Sequence, residues 1–171
     1  MPDNLNKIIF FIVSLFTLTF SLNISAENKP YLNTRSISAD LAQQAASIAY
    51  KNCTSKGYKV AVAVVDRRGE LMSFIRNPLA SPHTTVVSQR KAYTSATYQS
   101  PTTDMMNREI NFMFTPGVLF LGGGLPISVG GHFYGAIGVS GAPGEKTPGD
   151  VDDECAQKAI DVVSEILEFS D

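Results

Sequence analysis

The stretch Gly122–Gly141 reads GGGLPISVGGHFYGAIGVSG. Two short apolar runs, Leu125–Val129 and Phe133–Val139, flank the pair Gly130-Gly131. Such a pair predicts a two-residue hairpin turn, because glycine takes the positive φ that tight hairpins require. Glycine recurs inside the second run, at Gly135 and Gly138. An interior glycine weakens a strand, so each marks a bulge or something lying close against the backbone. One reading is a tightly packed hairpin in a sheet core. The other is a groove where a flat ligand or a second subunit meets bare backbone.

Working outward, Lys59–Asp66 (KVAVAVVD) is a β-branched run and reads as a strand. Asp66–Gly69 turns the chain, and Glu70–Arg76 (ELMSFIR) is its antiparallel partner. Before this hairpin, Ser36 or Ser38 caps a helix whose residues Ile37, Leu41, Ala45, Ile48 and Ala49 recur at helical spacing. Gly57 ends that helix, and its alanine-rich face suits close packing on a sheet. After the hairpin, Ser81-Pro82 starts a second helix that runs to about Tyr98. Pro101 breaks it. Thr102 or Thr103 then caps a third helix from Asp104 to Phe112, with Met105, Met106, Ile110 and Met113 as a soft apolar face. A short strand is expected at Val118–Leu121.

Gly141–Gly149 (GAPGEKTPG) is a loop, and Asp150, Asp152, Asp153 and Glu154 open a last helix that reaches about Phe169. Acids in a first turn suit the helix dipole, and their spacing is not that of a calcium-binding EF-hand loop. The order is helix, two strands, two helices, two or three strands, helix. It predicts an α+β fold with an antiparallel sheet of about five strands covered by helices.

The 171 residues carry a net charge of -2, which gives nucleic acid no basic face to bind. Lys7, the apolar run Ile8–Leu22 and the small residue Ala26 resemble a secretory signal peptide. Residues 1–26 are therefore expected to be removed, leaving 27–171 as one domain in the periplasm or secreted. A retained membrane anchor is the alternative. Cys53 and Cys155 sit in different predicted helices, and an oxidising compartment would permit one disulfide between them. Two buried thiols explain them equally.

The sequence shows no catalytic set. The glycines of GGGLP open no helix, as a dinucleotide fingerprint requires, and no serine occupies a nucleophile elbow. Two histidines are available, His83 at the start of the second helix and His132 just past the hairpin turn. Either could be a solvated surface residue.

Several pieces together resemble the GlcG/HbpS-like haem-binding family, which includes the carboxy-terminal domain of PduO-type proteins. They are GGG-L-P-I, G-x-x-x-GAIGVSG, Asp153–Ala156 (DECA), and Lys91–Ser95 (KAYTS) against the family's Lys-Ala-x-Thr-Ala. The family usually continues its first hairpin Arg-x-Asp-Gly-Ala, where this chain has Arg76-Asn77-Pro78-Leu79-Ala80. The resemblance implies a profilin-like or roadblock-like α/β/α sandwich that binds haem or a related tetrapyrrole. It implies His83 as axial and metal ligand, since imidazole commonly holds haem iron. Arg76 and Lys91 would pair with propionates. Thr115, Gly123, Gly124 and His132 are further cofactor-binding candidates, and Tyr93, Met113 and Met72 weaker ones for lining a haem pocket. A homo-oligomer is expected. Two alternatives stand beside ligand binding. One is an oligomeric scaffold or accessory module to a membrane sensor protein; the other is a haem-degrading or small-molecule enzyme.

Overall fold

The computed structural model describes residues 30–108, 111 and 114–170. One compact body begins at Thr34. The signal peptide read at residues 1–26, the tail of the expected third helix (109, 110 and 112) and Met113 lie outside the described residues.

Strands β1 (Ala61–Asp66), β2 (Leu71–Arg76), β3 (Gly124–Val129) and β4 (His132–Ser140) form one sheet in the order β2-β1-β4-β3, with every neighbour antiparallel. Helices α1 (Ala39–Ser55), α2 (Thr84–Tyr98) and α3 (Asp150–Glu168) cover it. All six residues of β1 are buried. Val62 and Val64 point with Ile137 and Val139 toward α1 and α3. Ala63 and Val65 point with Ala136 toward Ala92 and Ala96 of α2. Both faces are covered, which is why β1 reads as an unbroken apolar run rather than an alternation. This is the α/β/α layering that the resemblance implies.

The glycines of the opening stretch divide into two jobs. Gly130 and Gly131, at φ 56° and 78°, turn the β3–β4 hairpin. Gly138 lies opposite Ala63 and Gly124 in the sheet and lets α2 settle onto it. A Cβ at Gly138 would overlap the Ser88 carbonyl oxygen and lie 2.6 Å from the Ala92 nitrogen. A Cβ at Gly124 would overlap the Lys91 carbonyl oxygen. Bare sheet backbone therefore meets helix backbone from the same chain, as the packed-hairpin reading expects.

Three expected elements differ. The sheet has four strands rather than about five, because Val118–Leu121 spends its amides elsewhere. The Leu119 N–H donates to the Thr94 hydroxyl at 2.8 Å, the Val118 N–H to the Thr115 carbonyl and the Leu121 N–H to the Leu119 carbonyl. Where the third helix was expected, Thr103–Met105 form a 3-10 turn and the residues just after it are turns. Helix α2 starts at Thr84 with His83 at its N-cap, later than Ser81-Pro82, since the Thr84 N–H closes a turn back to the Ser81 carbonyl. In α1 the cap is Ser38, whose hydroxyl accepts from the Leu41 N–H.

Cys53 of α1 and Cys155 of α3 are joined, with their Cα atoms 5.6 Å apart and 102 residues between them in sequence. Both are fully buried. The bridge fastens the two helices of one layer and restricts the unfolded chain over most of the body. Replacing both cysteines by alanine is expected to cost about 2–4 kcal/mol. Denaturant melts of the double variant and of wild type, each with and without reductant, check it. Reductant should move wild type alone toward the variant.

Candidate functional site

The N-terminal ends of α2 and α3 and the C-terminal end of β4 enclose a cleft of about 480 Å³. That volume lies within the range of small-ligand sites. Ser81, His83, Thr84 and Val87 form one wall, and Ser140–Gly144 with Pro148 and Gly149 form the other. Lys91 and Asp152 close it from beneath.

Lys91 is only 1% exposed. Its Nζ donates to Asp152 Oδ2 at 2.8 Å and to the Val139 carbonyl at 2.9 Å. Asp152 Oδ1 accepts the Ala142 N–H at 3.0 Å. Burial pushes the Asp152 carboxyl above its ordinary pKa, and the Lys91 ammonium pulls it back toward ionisation. Its neighbour Asp153, also raised chiefly by burial, accepts the Gly123 N–H at 2.7 Å and the Thr103 hydroxyl. Two adjacent acids at the start of α3 thus tie down α2, the 3-10 turn, the entry to β3 and the exit from β4. The dipole argument alone does not show these partners. A signal was available: Asp152 lies three, four and seven residues before Cys155, Ala156 and Ala159, on the apolar face of α3, where an acid demands a buried partner.

Asp150 shapes the outer wall. Its carboxylate accepts the N–H groups of Glu145, Lys146, Thr147 and Val151. The first two of these lower its pKa most, from 3.8 to about 2. A group lowered on folding stabilises the structure above its unfolded value, and that contribution disappears as pH falls from about 4 to 2. The amide resonances of Glu145 and Lys146 are expected to titrate across that window. In Asp150→Asn they should stop doing so, with faster hydrogen exchange at both amides.

The sequence candidates separate. His83 and Lys91 line the cleft. His83 is exposed and its side chain makes no hydrogen bond among the described residues, so its ring nitrogens are open to a ligand. Lys91, expected as a propionate partner, is held in a buried ion pair with Asp152. Arg76 donates to the Ala80 carbonyl and is outside the lining. Gly123 and Gly124 are buried against Lys91, Val139, Asp152 and Thr102. Exposed His132 begins β4 at the hairpin tip, and exposed Thr115 sits in the loop before β3. Met72 packs against the core under α1 and α3. Tyr93 lies between Gly69 and Gly117 and lines a second, apolar concavity of about 220 Å³ with Leu71 and Val86. Ser140 and the loop after β4 were not among the candidates, because only the tertiary fold brings them to His83. Among the described residues no three His, Cys, Asp or Glu side chains group to hold a metal ion.

Comparison with known proteins places this geometry in context. The family model described as Haem degrading protein HbpS-like matches residues 37–161. Protein GlcG of Escherichia coli K12 is 30% identical over 108 residues, covering 61% of this chain and 81% of GlcG. A double mutant of Streptomyces reticuli HbpS superposes with a TM-score of 0.73 at 31% identity, over 82% of this chain and 95% of the other. A crystal structure described as a PduOC–haem complex superposes with a TM-score of 0.64 at 22% identity, over 74% of this chain and 94% of the other. At that identity the last likeness concerns the fold.

Proposed function

Because the chain belongs to the Haem degrading protein HbpS-like family, we propose that the cleft binds haem or a related tetrapyrrole with His83 as its axial ligand. The observation that carries this reading is the open imidazole of His83 on the wall of the 480 Å³ cleft. Haem supplies an iron that takes an imidazole nitrogen. Val87, Leu121, Pro143 and Pro148 offer apolar surface beside it. The solved haem complex of PduOC has the same fold, which supports the reading.

A haemin titration of the chain from Glu27, followed by absorbance, tests it. A saturable Soret shift at about one equivalent is expected, with at least tenfold weaker binding in His83→Ala. A response no different from buffer would remove the proposal. Unchanged binding in the variant would remove His83 from it. Spectra taken with and without a reductant, against a free-haem control, read any haem breakdown in the same experiment.

Export after cleavage near Ala26 belongs to the same proposal and is supported by the Cys53–Cys155 bridge, which an oxidising compartment favours. Periplasmic fractionation of the full-length chain checks it. Self-association is the second reading. The apolar concavity at Tyr93 and the exposed Leu71 and Val86 favour it. Light scattering of the purified chain should return more than one subunit.

A further inference from the structure

We propose that Lys91 binds a small aldehyde covalently: its Nζ forms an imine with a carbonyl compound that enters the cleft, and Asp152 moves the proton. The inference goes beyond the haem reading and does not depend on it. Thr84, Val87 and Lys91 all line the cleft and recur at helical spacing, as one stripe of α2. The cleft therefore follows α2 for about 10 Å, from Thr84 to Lys91. Among the described residues Lys91 is the only lysine or arginine that lines it. Burying a charge pair costs free energy, and this pair is set against a cavity of about 480 Å³ rather than inside the apolar core. An ammonium has three N–H donors. Lys91 uses two of them, on Asp152 Oδ2 at 2.8 Å and the Val139 carbonyl at 2.9 Å, and no third partner stands among the described residues. A lysine only 1% exposed has lost most of its water, the setting in which lysines act as Schiff-base nucleophiles. The base that such a nucleophile needs is already in contact, and burial raises its affinity for a proton.

The step balances within the pair. Lys91 gives one proton to Asp152, and rotation about its last bond turns the freed electron pair toward the cleft. That pair forms a bond to the aldehyde carbon, and the carbonyl π electrons move to oxygen. A second nitrogen proton passes to that oxygen, giving a carbinolamine. The C–O bond then breaks, and the departing hydroxide takes the proton from Asp152 and leaves as water. What remains is a protonated imine facing an ionised Asp152. The buried charges are the same before and after, so the pair is never left unbalanced.

The test uses acetaldehyde with sodium cyanoborohydride, which delivers hydride to an imine carbon and fixes it as an amine. The chain from Glu27 is treated with both, digested with a protease that does not cut at lysine, and mapped by mass spectrometry over time. Exposed Lys51, Lys59, Lys146 and Lys158 serve as internal references. Lys91 is expected to be alkylated about tenfold faster than any of them, a preference that disappears in the guanidinium-unfolded chain. Asp152→Asn, once circular dichroism shows it folded, should slow Lys91 about tenfold and leave the references unchanged. An unchanged Lys91 rate there would remove Asp152 from the proton transfer. Lys91 reacting no faster than the references, or keeping its lead when unfolded, overturns the proposal from wild type alone. A haemin titration of the same preparation separates the two readings of the cleft. Selective alkylation without a Soret shift leaves the imine standing and removes haem, and a Soret shift without selective alkylation does the reverse.

Discussion

Gly138→Val is expected to give no cooperative thermal transition. The position is central in the sheet, opposite Ala63 on β1 and Gly124 on β3. What a side chain would meet there is backbone, the Ser88 carbonyl and the Ala92 amide of α2. Ordinary overpacking of a core costs about 1–3 kcal/mol, because neighbouring side chains shift to other rotamers. Helix backbone has no such freedom. Relief requires lifting α2 off the sheet, which exposes Ala63, Val65, Ala92, Ala96 and Ala136 together. The loss is then comparable to the whole stability of a domain, about 5–15 kcal/mol. Gly138→Ala should show the same effect in part, with a lowered melting temperature and faster exchange along α2. Circular dichroism melts of the two variants beside wild type check the ranking. A Gly138→Val protein that melts like wild type would mean α2 does not sit on β4 as described.

Lys91→Met is expected to destabilise the fold by about 3–5 kcal/mol, because it leaves Asp152 buried without its counter-charge. The Lys91 and Asp152 side chains are 2% and 4% exposed, so solvent does little to screen them. Asp152 would protonate or pull water inward, and the Ala142 N–H would lose a charged acceptor. The double variant Lys91→Met/Asp152→Leu should recover most of the loss, since two apolar groups replace a pair that was expensive to bury. Denaturant unfolding of wild type, both single variants and the double variant gives the coupling directly. If the double variant is as unstable as the sum of the singles, the pair is not the unit described. The cleft depends on the same contact. Haemin binding by the double variant therefore reports whether the charge pair holds only the architecture or also meets the ligand.

Much of the architecture was legible in the sequence because local chemistry and tertiary structure agree there. The Gly130-Gly131 turn, the β-branched run at β1, the Ser38 cap and the acidic start of α3 each follow from a few neighbouring residues. The α+β class follows from their order, and the α/β/α layering is what the family resemblance implies. Legibility stopped at residues 101–121. Pro101 and Pro116-Gly117 mark breaks there, but the Thr102 and Leu119 amides are satisfied by Gly124 and Thr94, which are distant in sequence. A strand signal at Val118–Leu121 loses when a side chain offers the backbone a better acceptor.

The candidate site divides along the same line. His83 was named from its residue type, its place at a helix start and the family resemblance. Its neighbours were not, because Ser140, Asp152 and the loop after β4 are 57 or more positions away in the chain. Most of the helices and strands are legible in the sequence, because they depend on periodicity, turns and caps within about ten residues. Only the tertiary structure decided that Lys91 is an internal cation, that the glycines receive a helix, and that two helix ends and a strand end share one cleft. Burial and charge pairing are properties of distant segments brought together, and no local pattern encodes which segments those are.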